Sequence, residues 1–177
     1  MNNPLSIKKL VLSALFATIS LTLFLIESMI PPVVPIPGIK IGLAYIPIML
    51  IMFVGGNWKI SDAALVLAVR IILSAFISGN LTSVYFSALG GLLSIITMSA
   101  MKLTIKTKWV VIPAGVFSAT AHNIGQLTAA MTLYSFTVWA YFPYLLISAV
   151  ITGLFCGLII YVLTKKELPI IKNIKNI

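Results

Sequence analysis

The sequence predicts an all-α integral membrane protein: one bundle of six transmembrane helices with both termini in the cytoplasm. Three observations predict it. Of 177 residues, 60% are hydrophobic and only 8% are charged, against roughly 25% charged in an average soluble domain. That leaves too little polar side chain to cover a water-facing surface, and mean hydropathy is +1.15. The chain also divides into apolar runs near the length of about 20 residues needed to cross a hydrocarbon core. Finally, almost all of its lysines fall at one set of run ends. A soluble helical bundle is excluded on composition, and residues 1–177 read as a single membrane domain.

The first span, 8–30, contains an apolar stretch from Leu10 to Ile26 that is too long for the core of a signal peptide. It lacks a small-x-small cleavage site, so it is read as a retained helix. The second, 41–56, is short and contains Pro47, so it is expected to kink or to begin inside the protein. The third, 60–78, opens with Ser61 and Asp62, read as an N-cap with an acid in the first turn, and carries Arg70 in its middle. The fourth, 81–101, contains "SALGGLLS" (87–94), whose small residues suit close helix packing; Ser87 is also a candidate for a polar wall. The fifth, 109–133, carries His122, Asn123 and Gln126. The sixth is 139–163, and the basic tail 164–177 reads as a frayed juxtamembrane segment.

Charge asymmetry sets orientation. With the N-terminus inside, the cytoplasmic side receives Lys8, Lys9, Lys59, Lys102, Lys106, Lys108, Lys165, Lys166, Lys172 and Lys175, and the outside receives only Lys40. Positive charge accumulates on the cytoplasmic side of membrane proteins, and the opposite orientation would reverse nearly all of these charges. The net charge of +9 is therefore explained by topology and anionic lipid headgroups rather than by nucleic acid. The predicted location is the plasma membrane. Cys156, the one cysteine, forms neither an internal disulfide nor a zinc site.

An ionisable side chain inside a span costs about 2.5–3.5 kcal/mol on insertion scales and usually faces a bundle interior or a cavity. Arg70 lies ten residues into its span, roughly 15 Å deep at 1.5 Å per residue. It is either a structural arginine paired with carbonyls or a carboxylate, or a ligand-facing one. His122 and Gln126 are four apart and share a helix face, with Asn123 about 100° round; they are either interhelical glue or a cavity lining. Glu27 and Lys40 flank the proline-rich outward loop "PPVVPIPGIK" (31–40) at the top of the bundle. The candidate ligand site is therefore Glu27, Lys40, Arg70, His122, Asn123 and Gln126. Two outward loops lie over it: 28–40, stiffened by Pro35, Pro37 and Gly38, and 133–143, with Tyr134, Trp139 and Tyr141. The aromatic loop is either a lid or an interfacial belt.

The chain has three acidic residues in all, so no aspartate-rich motif for Mg²⁺ and diphosphate can form. It has no Walker A sequence, no HExxH and no metal-ligand cluster. A triad through His122 would have to recruit Asp62 from the opposite end of the bundle. No catalytic residue, metal or cofactor is expected, and the protein is read as a non-enzyme. A self-contained channel or secondary transporter is disfavoured, because there is no obvious inverted repeat and little intramembrane acid.

The segments "ESMIPPVVPIPGIKIGLA" (27–44), "SALGGLLS" (87–94) and "HNIGQL" (122–127) resemble the Gx transporter family, also called heptaprenyl diphosphate synthase component I. The similarity covers nearly the whole chain; Tyr45 departs from it, standing where Asn is expected. The family is in turn similar to the substrate-binding S components of energy-coupling factor (ECF) transporters. The resemblance implies a six-helix S-component fold and capture of a vitamin-like or precursor molecule near the outer face. It also implies docking on an ECF transmembrane coupling subunit whose two ATPase partners use the ATP. Small residues on the first helix would carry docking; the candidates are Ser13, Ala14, Ala17 and Thr18. The synthase name sits poorly with a chain lacking the carboxylates that hold Mg²⁺ on a diphosphate. The alternative expectation is a non-catalytic membrane subunit attached to a polyprenyl (heptaprenyl) diphosphate synthase or a quinone- or flavin-linked redox system.

Overall fold

A computed structural model describes residues 7–29, 42–166 and 169–175. Every regular element among them is helical: α1 (Ile7–Met29), α2 (Ile46–Val54), α3 (Ile60–Ser78), α4 (Leu81–Thr104), α5 (Val111–Leu133), α6 (Phe142–Lys165) and α7 (Pro169–Lys175). Short 3-10 turns at Leu43–Tyr45, Lys108–Val110 and Phe136–Tyr141 lead into α2, α5 and α6. Four stretches among the described residues are long and apolar enough to cross a membrane: Ile7–Met29, Ile60–Ser78, Leu81–Thr104 and Phe136–Lys165. Large apolar side chains such as Leu15, Ile72, Phe76, Leu92, Phe117, Ile147 and Phe155 are exposed around the bundle. That is the outer surface of a protein solvated by lipid, and the protein is a multi-pass membrane protein.

Two spans differ from expectation. The second run yields only the turn Leu43–Tyr45 and the nine residues of α2. Twelve helical residues cover about 18 Å, well short of a hydrocarbon core of about 30 Å. Pro47 falls in the first turn of α2, where its missing N–H costs nothing; the helix begins inside the protein and does not kink. α5 is 23 residues long, but its interior polar residues, His122, Asn123 and Gln126 among them, keep it below the apolarity of the other four.

Glycines set the closest approaches. α5 packs against both α4 and α6, its most extensive contacts in the molecule. A Cβ on Gly153 of α6 would lie 2.6 Å from Val116 Cα, and one on Gly157 2.9 Å from Ile112 Cα. A Cβ on Gly125 of α5 would lie 2.8 Å from Gly90 Cα of α4. In lipid, where burying apolar surface between helices gains little, such backbone contact is what holds helices together.

The lysine-rich end is held by polar contacts instead. Lys9 is buried; its Nζ lies 2.6 Å from Asp62 Oδ2 and 3.0 Å from the Asn57 carbonyl. Asp62 also accepts the Lys59 N–H at 2.6 Å. Lys59, not Ser61, is thus the N-cap of α3, and Asp62 at its third position satisfies the cap backbone. The tail is not frayed over 169–175: α7 docks on the bundle, with Ile171 and Ile174 in the core and Trp58 Nε1 donating to the Ile174 carbonyl at 2.8 Å.

Gly153→Ala is expected to push α5 and α6 apart and lower stability by about 1–3 kcal/mol, the usual cost of overpacking. Thermal unfolding in detergent measures it, and an unchanged midpoint would contradict the packing described.

Candidate ligand site

α1 presents Ser20, Phe24 and Glu27 on one buried face, at the spacing of successive helical turns. Ser20 Oγ donates to the Ala44 carbonyl at 2.5 Å, and Glu27 Oε1 accepts the Gly42 N–H. Together these two bonds pin the turn before α2 to α1. Gly42 has φ +98°, a conformation that favours glycine.

Arg70 projects from α3 into this corner and is 2% exposed. Its guanidinium carbon lies 4.9 Å from the centroid of the Phe24 ring and 5.3 Å from that of Tyr45, so two aromatic faces offset part of the cost of burying the charge. Nε and Nη1 have no hydrogen-bond partner of proper geometry. Tyr45 in turn meets the His122 ring edge-on, with centroids 4.6 Å apart. Glu27, Gly42, Tyr45, Arg70 and His122 therefore form one continuous group.

Two adjacent glycines of α4 make room for it. A Cβ on Gly90 would lie 2.6 Å from His122 Nδ1, and one on Gly91 would lie 2.6 Å from the Tyr45 hydroxyl oxygen. Neither Nδ1 nor the Tyr45 hydroxyl has a hydrogen-bond partner of proper geometry among the described residues. A cavity of about 20 Å³ lies alongside, lined by Gly42, Tyr45, Ser94, Ser118, His122 and Cys156 among others. That volume suits a single water molecule.

The remaining site candidates separate. Gln126 is buried one turn from His122 on the same face of α5. Asn123 is buried too; its Nδ2 donates to the Leu145 carbonyl of α6 at 2.8 Å and ties two helices together, while its Oδ1 has no hydrogen-bond partner among the described residues. Lys40, Pro35, Pro37 and Gly38 lie outside the described residues. Tyr134 is exposed at the end of α5. Trp139 and Tyr141 belong to the 3-10 turn Phe136–Tyr141, which packs on α5 and α6. There Trp139 Nε1 donates to Met131 Sδ, and its ring lies 5.3 Å from that of Phe142. The aromatic stretch is thus a helical cap on α5 and α6, over a small core of Phe86, Leu127, Ala130, Val138 and Leu145, rather than an open loop. Of the small residues on α1, Ala14 and Thr18 are exposed and Ser13 is half-buried. Ala17 is 2% exposed in the core, which removes it from an outward docking face.

Sequence reasoning missed Phe24 and Gly42 and did not place Tyr45 in the site. Phe24 lay three residues before Glu27, within reach of a helical-face argument. The departure at Tyr45 was itself the signal: an aromatic ring stands between the arginine and the histidine.

Asn123→Ala is expected to lower stability by about 0.6–2 kcal/mol, the range for interhelical hydrogen bonds in membranes, while leaving any ligand bound at Arg70 in place. Thermal unfolding alongside mass spectrometry of retained small molecules separates the two effects. Ligand loss at unchanged stability would return Asn123 to the site.

The family model for heptaprenyl diphosphate synthase component I matches residues 16–163. No curated protein and no solved structure matches the chain. The matched region runs from the buried face of α1 to the last turns of α6 and includes every residue of the Arg70 group. The chain belongs to the heptaprenyl diphosphate synthase component I family.

Proposed function

We propose that the protein is the substrate-binding membrane subunit, or S component, of an ECF-type importer. In this reading the bundle has six membrane-crossing segments with α2 as the short one, and both termini lie in the cytoplasm. It captures a small vitamin-like or precursor molecule from the extracellular side. The observation that carries the reading is Arg70: a fully buried cation at mid-depth with two guanidinium nitrogens unpartnered. Insertion of such a group costs about 2.5–3.5 kcal/mol, and unsatisfied donors add to that. An anionic or zwitterionic ligand meets both costs at once. Glu27 and His122 supply an acceptor and a ring nitrogen at the same place, with Lys40 and Gln126 as further candidates. The aromatic faces of Phe24 and Tyr45 suit a flat or partly apolar ligand.

A cavity of about 20 Å³ is too small for a vitamin, so uptake involves separation of the Leu43–Tyr45 turn from α5. Transport itself falls to a coupling subunit and ATPases docked through the exposed Ala14 and Thr18 face of α1, with Ser13 at its margin.

Family membership supports a second reading, a non-catalytic membrane subunit that assists a polyprenyl diphosphate synthase. The two differ in what Arg70 does. On the importer reading, protein purified in mild detergent carries a small molecule detectable by native mass spectrometry, and Arg70→Gln loses it while eluting as a folded monodisperse species. On the synthase reading, the protein co-purifies with a synthase and that complex tolerates both Arg70→Gln and His122→Ala. An empty wild-type protein that never associates with an ECF coupling module would overturn the importer proposal.

A further inference from the structure

At the lysine-rich end a second, larger cavity of about 360 Å³ opens between α2, α4, α5, α6 and α7. Five lysines line it: Lys102 from α4, Lys106 from the link after α4, Lys108 from the turn into α5, Lys165 from the last turn of α6, and Lys175 from α7. Among the described residues, which leave out Glu167, no acidic side chain lines it and none of the five takes part in a salt bridge. Asp62 is occupied elsewhere, by Lys9.

Accumulation of positive charge on one side explains why lysines occur in these turns. It does not explain their convergence on one concavity, where they repel one another unless an anion lies between them. Two features hold the arrangement in place. The rings of Trp109 and Tyr161 stack with centroids 4.6 Å apart, and Lys165 Nζ lies 5.9 and 5.4 Å from them. α7 is anchored by the Trp58–Ile174 hydrogen bond, and Gly56, in a positive-φ turn with Gly55, leaves no room for a side chain against the Lys175 backbone. Thr107, Thr164 and Tyr161 also line it, and the remaining wall is apolar: Phe53, Val54, Ile105, Val110, Val111 and Ile171. A charged rim above an apolar wall at a membrane surface matches a headgroup joined to a hydrocarbon chain.

We propose that this cavity binds a phosphoryl group, mono- or diphosphate, carried by a lipid at the membrane surface. The site is separate from the Arg70 group, and the proposal does not depend on the function assigned there.

The test uses the full chain in nanodiscs of phosphatidylcholine with a minor fraction of phosphatidic acid, followed by native mass spectrometry of the lipid retained on release into detergent. Wild-type protein is expected to retain phosphatidic acid in preference to phosphatidylcholine. The triple variant Lys102→Gln, Lys106→Gln, Lys165→Gln is expected to bind it about tenfold or more weakly. Lys8→Gln, Lys59→Gln, Lys166→Gln removes the same charge outside the cavity and is expected to keep it. Replacing the three cavity lysines by Arg preserves the charge and is expected to retain binding, which guards against a folding artefact. Inorganic pyrophosphate separates the sources. Failure to displace the lipid at micromolar concentration supports the membrane-borne ligand, whereas displacement supports a phosphoryl site open to a soluble diphosphate and overturns the lipid assignment. Equal loss in both triple variants, or none in the cavity triple, overturns the site altogether.

Discussion

Arg70 places a permanent charge roughly halfway along a helix otherwise fit to face lipid, and the neighbouring elements are arranged around that charge. α1 turns Phe24 toward it. The turn before α2 brings the Tyr45 ring to its other side. Those faces supply electrostatic attraction without a hydrogen bond, on the order of 0.5–2 kcal/mol each depending on desolvation. They therefore lower the cost of the charge while Nε and Nη1 keep no hydrogen-bond partner of proper geometry. An arginine kept only for structure is more simply satisfied by carbonyls or a bidentate carboxylate. Here the acid close by, Glu27, accepts from the Gly42 backbone and also attracts the guanidinium electrostatically.

The same corner shows what the short α2 requires. Its helical run begins at Leu43, and the backbone groups there need partners inside the protein, because lipid cannot satisfy them. Glu27 and Ser20 of α1 meet two of these needs, accepting from Gly42 and donating to Ala44. The half-length helix and the polar face of α1 are thus one solution to one problem.

Much of this was legible in the sequence. Composition and run length gave a helical membrane protein, and insertion cost marked Arg70 and His122 as interior. The proline at position 47 marked the second run as irregular. Other features were not legible, for identifiable reasons. Asn123 and Gln126 are three residues apart and both polar, and only the partner helix decides that Asn123 meets the Leu145 carbonyl. The aromatic stretch 133–143 contains no strong helix signal, yet it folds as a 3-10 cap because Val138 finds a pocket between α5 and α6. The basic tail reads as solvated until Trp58, more than a hundred residues earlier, supplies a donor for its backbone.

The glycine contacts divide the bundle mechanically. α4, α5 and α6 touch backbone to backbone at Gly90, Gly125, Gly115, Gly153 and Gly157, and interfaces of that kind have no long side chains that can re-pack to absorb sliding. α3 and the turn at Leu43–Tyr45 meet that slab through side chains at Gly91, where Leu67 and Tyr45 fit, with the Tyr45 and His122 rings at the joint, and α1 packs on α3 and the turn behind them. A stiff half and a compliant half share a boundary, and the buried cation sits on the compliant side of it. Strain applied to the bundle, by a ligand or by a partner gripping α1, would be taken up along that boundary before it disturbed either half.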